Sequence, residues 1–252
     1  HTEILGNSKQ EIAREKAGII KSRVPVVVGS RACPEIIKEI ALWKRSVCID
    51  VGTRSASFDR ENRNIAKASL LQLRKHFSIT DTAIMEGLRF TLPCRFEIIT
   101  KEKILSEEID SFPEAIILDV AHNPDAFERL FTSISRAFPS KPIRIVTGVS
   151  KGKDLKGCFS SMLQRTQSLH LVEAPNGRGY SLREMEASLK ENGAEATSVG
   201  RSVRHSLEKA IKIAAENEEV LLVCGSFFIM GEARKFLGIK EQHDLFDMNE
   251  RF

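Results

Sequence analysis

From about residue 96 onward the chain alternates short apolar runs with helix-periodic segments, and that alternation leaves few folds open. Runs of strand length stand at Phe96–Ile99, Ala115–Leu118, Ile143–Val146, Leu169–Val172 and Val220–Val223. Between them apolar residues recur at helical spacing: Phe127/Leu130/Phe131/Ile134, Leu155/Phe159/Met162/Leu163, Leu182/Met185/Leu189 and Val203/Leu207/Ala210/Ile211/Ala214. Short connections between such elements predict a mostly parallel sheet covered by helices.

The first third is less regular. Ser8-x-x-Glu11 has capping-box spacing, and a helix with Ile12, Ala13, Lys16 and Ala17 is expected up to Gly18. Val24–Val28 reads as a buried strand whose start Pro25 confines to an edge. Pro34 opens a helix with Ile36, Ile37, Ile40 and Trp43 on one side. Residues 52–63 are polar and read as a loop; helices are expected around Ile65–Leu73 and Thr82–Leu88. The texture changes near residues 93–96, which places a domain boundary between 95 and 96, giving domains 1–95 and 96–252.

Composition excludes several classes. The 252 residues, 42% hydrophobic and 29% charged, can bury two cores and are not those of a disordered chain. A net charge of +4, from scattered basic residues, gives no footprint for nucleic acid. No apolar run approaches the roughly 18 residues of a membrane span. The five cysteines include no C-x-x-C pair and read as thiols of a reducing compartment, neither a disulfide frame nor a zinc site. The chain begins at His1, without Met or leader, and is expected to start inside a larger protein.

Ligands of a doubly wound sheet bind at the carboxyl ends of its strands, so the polar residues there carry the candidates. After Leu118 comes Asp119-Val120-Ala121-His122-Asn123-Pro124. Helix capping accounts for Asn123 and Pro124; Asp119 and His122 can also hold a ribose hydroxyl, a phosphate or a carboxylate. Thr147–Asp154, rich in Gly and Lys, suits an anion or is a solvated basic turn capped by Asp154; it lacks P-loop spacing. Asn176-Gly177-Arg178-Gly179 is open to the same two readings, with Ser181-x-x-Glu184 a capping box beyond it. Gly225-Ser226 permits close backbone approach and offers a hydroxyl. Lys16, beside Glu15, reads as solvated or salt-bridged.

Taken in order, six segments resemble the folylpolyglutamate synthase/dihydrofolate synthase family, the folate branch of the Mur ligase superfamily. His1-Thr2-Glu3-Ile4-Leu5-Gly6 is similar to D-H-x-x-x-L-G without its Asp, and Glu15-Lys16-Ala17-Gly18-Ile19 to E-K-A-G-I. Glu61-x-x-Asn64 resembles Q-x-x-N-A, and Pro93-Cys94-Arg95-Phe96-Glu97 resembles P-G-R-x-E with Cys94 in place of Gly. Asp119–Pro124 resembles D-[GV]-A-H-N-P, and Val223–Phe227 the family's closing strand and turn. No G-x-x-G-K-[ST] loop occurs in the chain.

The resemblance implies an α/β architecture in which a partial Mur-ligase-type ATPase domain precedes a Rossmann-like, mostly parallel C-terminal domain. It implies an ATP-dependent ligase that joins L-glutamate to a folate or dihydropteroate carboxylate through an acyl phosphate. ATP and Mg²⁺ are the expected cofactors, and small molecules rather than nucleic acid or membrane the expected partners of a cytoplasmic or mitochondrial monomer. His1 and carbamylated Lys16 would ligate magnesium, Lys16 counting with His122 as catalytic. Asn64, Arg95 and Asp119 would bind adenine, phosphates and ribose, with ATP between the domains. His122 and Ser226 would face glutamate. A cell-wall Mur-type peptide ligase and a truncated, inactive or regulatory product are the alternatives. Without the phosphate loop, the 252 residues alone are not expected to turn over ATP.

Overall fold

The computed structural model describes residues 6, 8–29, 32–52, 58–104, 106, 109–166 and 168–239. The chain divides into two compact units at Leu92/Pro93. Cys94 and Arg95 thereby join the second unit, a little before the boundary expected at 95/96.

In the first unit, helix α1 (Lys9–Ala17) opens with the expected capping box: Ser8 and Glu11 each accept the other's backbone N–H. Strands β1 (Val26–Val28) and β2 (Cys48–Asp50) pair in parallel, joined through helix α2 (Pro34–Trp43). The core is small: Ala13, Ala17, Ile20, Val28, Ile37 and Ala41. Three expectations need correction here. Val24 is 50% exposed, because Pro25 delays pairing until Val26. Trp43, at the last turn of α2, is 77% exposed with Lys44 over its ring, and Ala41 takes the core position instead. The stretch read as a loop turns helical at Phe58, where helix α3 (Phe58–Leu73) begins. Its first turns carry too few apolar residues to show a helical period. They are held by the buried Glu61, which with Ile65 packs so close to Gly29 that a Cβ there would lie 2.9 Å from each. Helix α4 (Asp81–Gly87), capped by Thr80, completes the described part of this unit.

The second unit is built on a six-stranded sheet. Its strands are β3 (Glu97–Ile99), β4 (Ala115–Leu118), β5 (Ile143–Thr147), β6 (Leu169–Val172), β7 (Ser198–Gly200) and β8 (Val220–Cys224). Their spatial order is β3-β4-β8-β5-β6-β7, every pair parallel except β3 with β4. The expected mostly parallel α/β sheet is therefore present, with two differences. β3 returns antiparallel, and the described residues between it and β4 include a 3₁₀ turn, at Lys101–Lys103, and no crossover helix. β7 was not expected: this edge strand has one apolar residue, Val199, and so leaves no apolar run.

Period-two alternation sends neighbouring residues of the central strands into opposite cores. Ile116, Leu118, Val146, Leu221 and Val223 face helices α8 (Val203–Glu216) and α9 (Met230–Phe236). Ile117, Ile145, Leu169, Leu171 and Leu222 face helices α5 (Pro124–Ala137), α6 (Leu155–Leu163) and α7 (Leu182–Glu191). Asn123, Asp154, Ser181 and Ser202 cap α5 to α8 with their side chains, as the first three were expected to do. No helix among the described residues is long and apolar enough to cross a membrane.

At the amino ends of the strands lies a buried polar chain. Arg144 donates to both carboxylate oxygens of Glu219, at 2.6 and 3.2 Å, and to Nε2 of His170 at 3.0 Å. His170 Nδ1–H in turn donates to Ser198 Oγ at 2.7 Å, tying β6 to the short edge strand β7. Burial, and then the facing Arg144 and Lys209 charges, push the imidazole down from 6.5 to about 4. Between those values the unfolded chain holds the extra proton, so stability rises with pH and is lost as pH falls from 6.5 toward 4. From pH 7 to pH 5 this residue alone is expected to remove about 2 kcal/mol. Urea unfolding of wild type and His170→Asn at both pH values checks it; equal pH slopes for the two proteins would contradict the assignment.

Candidate functional site

The connections at the carboxyl ends of β4, β5, β6 and β8 meet, and backbone hydrogen bonds set how. Gly225 N–H donates to the Ala121 carbonyl at 2.9 Å, joining the turn after β8 to the turn after β4. Gly225 adopts φ +102°, and a Cβ on it would lie 2.4 Å from Thr147 Oγ1 and 3.0 Å from the Gly148 carbonyl oxygen. Glycine is required there by both conformation and space. Tyr180 N–H donates to Val149 O and Lys151 N–H to Arg178 O, which zips the loop after β5 to the loop after β6. Tyr180 Oη–H adds a bond to the Lys153 carbonyl at 2.9 Å.

Each candidate of the second unit takes its position from this framework. Asp119 Oδ1 accepts from Ala121 N–H and Oδ2 from Phe96 N–H, both at 2.7 Å. The carboxylate thus fastens the Arg95–Phe96 turn to the end of β4. Arg95 itself is exposed and has no hydrogen bond or ion pair among the described residues, so its guanidinium is open to solvent. The residues on either side of it, Cys94 and Phe96, lie at φ +57° and +48°. That is left-handed backbone, sparsely used by non-glycine residues, and accounts for a glycine-tolerant position before the arginine. Cys94 is buried, and desolvation, reinforced by Glu97, pushes its thiol up to about 11, so it stays protonated.

His122 is half-buried and its Nδ1–H donates to the Val120 carbonyl at 2.8 Å. That bond selects the tautomer and leaves Nε2 as an acceptor for a substrate N–H. Ser226 is 1% exposed; its Oγ accepts from Phe228 N–H at 3.1 Å and shares a hydrogen bond with Ser150 Oγ at 2.8 Å. Ser226 is interior and Ser150 half-buried, and the adjoining exposed groups are Lys151, Arg178 and Phe227. The Arg178 guanidinium sits 5.4 Å from the Phe228 ring centroid, which braces the cation at the rim. Asp119, Arg95, His122 and Ser226 therefore share the carboxyl edge of one sheet. The edge can receive an anion and orient an amine.

Lys16 and Asn64 belong to the first unit, Lys16 exposed on α1 and Asn64 half-buried on α3. His1 lies outside the described residues. Among the described residues no three His, Cys, Asp or Glu side chains gather into a group that could hold a metal ion. The sequence offers Ser150 only as a member of the Thr147–Asp154 loop, with no sign that it meets Ser226, and gives no sign of Arg234, which grips Glu97. Neither has a local signal, since each meets its partner only through the sheet.

The Mur ligase, glutamate ligase domain model matches residues 95–227. The dihydrofolate synthase/folylpolyglutamate synthase of Haemophilus influenzae is 29% identical over 92% of this chain and 60% of its own length. The crystal structure of a bifunctional folylpolyglutamate synthase/dihydrofolate synthase from Yersinia pestis, complexed with AMPPNP and Mn ion, is 25% identical. It superposes with a TM-score of 0.70 over 94% of this chain and 59% of that one. A Mycobacterium tuberculosis folylpolyglutamate synthase complexed with ADP and AMPPCP shares the fold, with a TM-score of 0.75 at 17% identity over 96% of this chain and 62% of its own. The chain thus spans about three-fifths of the length of these relatives.

The Gly225 junction gives a direct test. Gly225→Ala is expected to destabilise the second unit by at least about 2 kcal/mol, from a left-handed φ and a steric overlap together. A urea midpoint equal to wild type would show that the turn after β8 can move away from Thr147.

Proposed function

The chain belongs to the Mur ligase, glutamate ligase domain family, and on that premise we propose that it serves an ATP-dependent ligase joining L-glutamate to a folate or dihydropteroate carboxylate. The carboxylate oxygen attacks the γ-phosphorus of ATP and ADP leaves; the glutamate amine then attacks the acyl carbon and phosphate departs. The amine must first shed a proton, and both steps concentrate negative charge on phosphate oxygens. Positioned cations and a positioned amine are therefore the main requirements.

The observation that carries this reading is the Arg95 turn: an exposed guanidinium on backbone pinned by Asp119, at the carboxyl edge that also holds His122. Arg95 would bind ATP phosphates through charge-assisted hydrogen bonds. Asp119, fixed by the Phe96 and Ala121 amides at the end of β4, would accept a ribose hydroxyl. His122 Nε2 would accept from the glutamate ammonium and orient its nitrogen toward the acyl carbon. Ser226, interior and paired with Ser150, would act by holding the edge around the glutamate. The named ligands of the relatives, ADP and AMPPNP, support the nucleotide half of the reading.

A Mur-type peptide ligase acting on a UDP-sugar shares the family and is the second reading; the folate-type motifs around Lys16 and Asp119 disfavour it. Thermal shift with dihydropteroate and folates against UDP-muramyl ligands separates the two, and stabilisation by the UDP-sugar alone would reverse the order. Within the proposed reading, Arg95→Ala is expected to weaken ADP binding by about one to two decades, the worth of one lost charge-assisted bond to phosphate. The unfolding midpoint should not change, because Arg95 is solvated. Titrations followed by NMR shifts read affinities this weak, and identical ADP curves for the two proteins would remove Arg95 from the phosphate site.

A further inference from the structure

Arg95 stands on a turn that its own residues do not favour. Cys94 and Phe96 both occupy left-handed backbone, and neither is glycine. Such a conformation persists only where its surroundings over-determine it. Four contacts do so. Val120 N–H donates to the Cys94 carbonyl at 3.0 Å, and Phe96 N–H donates to Asp119 at 2.7 Å. Cys94 N–H donates to Glu97 Oε2, also at 2.7 Å. The fourth comes from the far end of the chain: Arg234 Nη1 on α9 lies 2.7 and 2.6 Å from Glu97 Oε1 and Oε2.

Glu97 is the pivot of this set. Its side chain must fold back toward the Cys94 amide, and as a lone carboxylate over an apolar cluster it would turn to water instead. Arg234, 7% exposed and walled by the core of α8 and α9, supplies the fixed positive charge that keeps it there. We infer that Arg234 is a positioning residue: through Glu97 it holds the left-handed Cys94–Phe96 turn and so sets where the Arg95 guanidinium is presented. The inference rests on the reading of Arg95 as a phosphate-binding group. It adds to that reading a residue on a different element that touches no substrate.

The test separates the clamp from the ligand. In the first arm, amide hydrogen exchange is followed in the 252-residue chain for wild type, Arg234→Gln and Arg234→Lys. Arg234→Gln is expected to speed exchange of the Cys94, Phe96 and Val120 amides by about tenfold or more, with β5 and β6 amides unchanged. Arg234→Lys keeps the charge on a single nitrogen and should restore part of the protection. Uniform acceleration across the sheet, or none at the turn, would overturn the inference by reducing the pair to general stability or to nothing. The lysine variant keeps the test open if the glutamine variant does not fold.

In the second arm, ADP titrations form a double-mutant cycle. Arg234→Gln should weaken ADP binding by about tenfold in the wild-type background and by less than about twofold in Arg95→Ala. Equal losses in both backgrounds would show that Arg234 does not act through Arg95 and would also overturn the inference. If Arg95→Ala leaves ADP binding unchanged while the turn still loosens in Arg234→Gln, the phosphate reading fails and takes the functional half of the inference with it.

Discussion

A parallel strand buried on both faces cannot carry polar side chains along its length, and that constraint orders the second unit. β4, β8 and β5 lie at the centre of the sheet, with alternate residues entering two separate hydrophobic cores. Polar chemistry is driven to the strand ends. The two ends then diverge. At the amino end the polar groups satisfy one another: buried Arg144, Glu219 and His170 form a chain that ends on the half-buried Ser198. At the carboxyl end they are bound mainly to backbone, and the Arg95 guanidinium and His122 Nε2 are not used by the bonds that hold those turns.

This difference explains which buried polar groups are structural. His170 is fully buried and engaged at both nitrogens, and burial depresses its pKa to about 4; it lies toward the amino end of β6, not in the turns at the carboxyl edge. A perturbed titration alone would have nominated it as a site. Its partners show instead that it splices β7 onto the sheet edge. His122 spends one nitrogen on its own backbone and keeps the other, the arrangement a substrate-facing imidazole needs.

Much of this was readable from local sequence. The capping boxes at Ser8–Glu11 and Ser181–Glu184 and the Asn123–Pro124 helix start each depend on a few adjacent residues, and each took its expected form. What escaped depends on partners far away in the chain. β7 is a strand because His170 and the edge of β6 accept it, not because Ser-Val-Gly favours one. The start of α3 depends on Glu61 packing at Gly29. Glu97 meets Arg234 across 137 residues, a separation no periodicity reveals. Roles for Asp119, Arg95, His122 and Ser226 came from ordered motifs; that they lie on one edge followed from the strand pattern.

Cys94 shows how such a motif tolerates a substitution. Left-handed backbone costs a non-glycine residue about 1 kcal/mol or more, and Phe96 carries a second such cost two residues later. Glycine at position 94 would remove the first cost and also leave the apolar cluster beside α9 unfilled. The thiol fills that space, and its burial, worth on the order of 1 kcal/mol for a small apolar group, offsets the strain. The turn is then no looser than a glycine turn, because its geometry is imposed from outside by Asp119, Val120 and the Glu97–Arg234 pair. A motif position that usually needs glycine for its backbone can accept cysteine wherever the fold itself supplies the constraint.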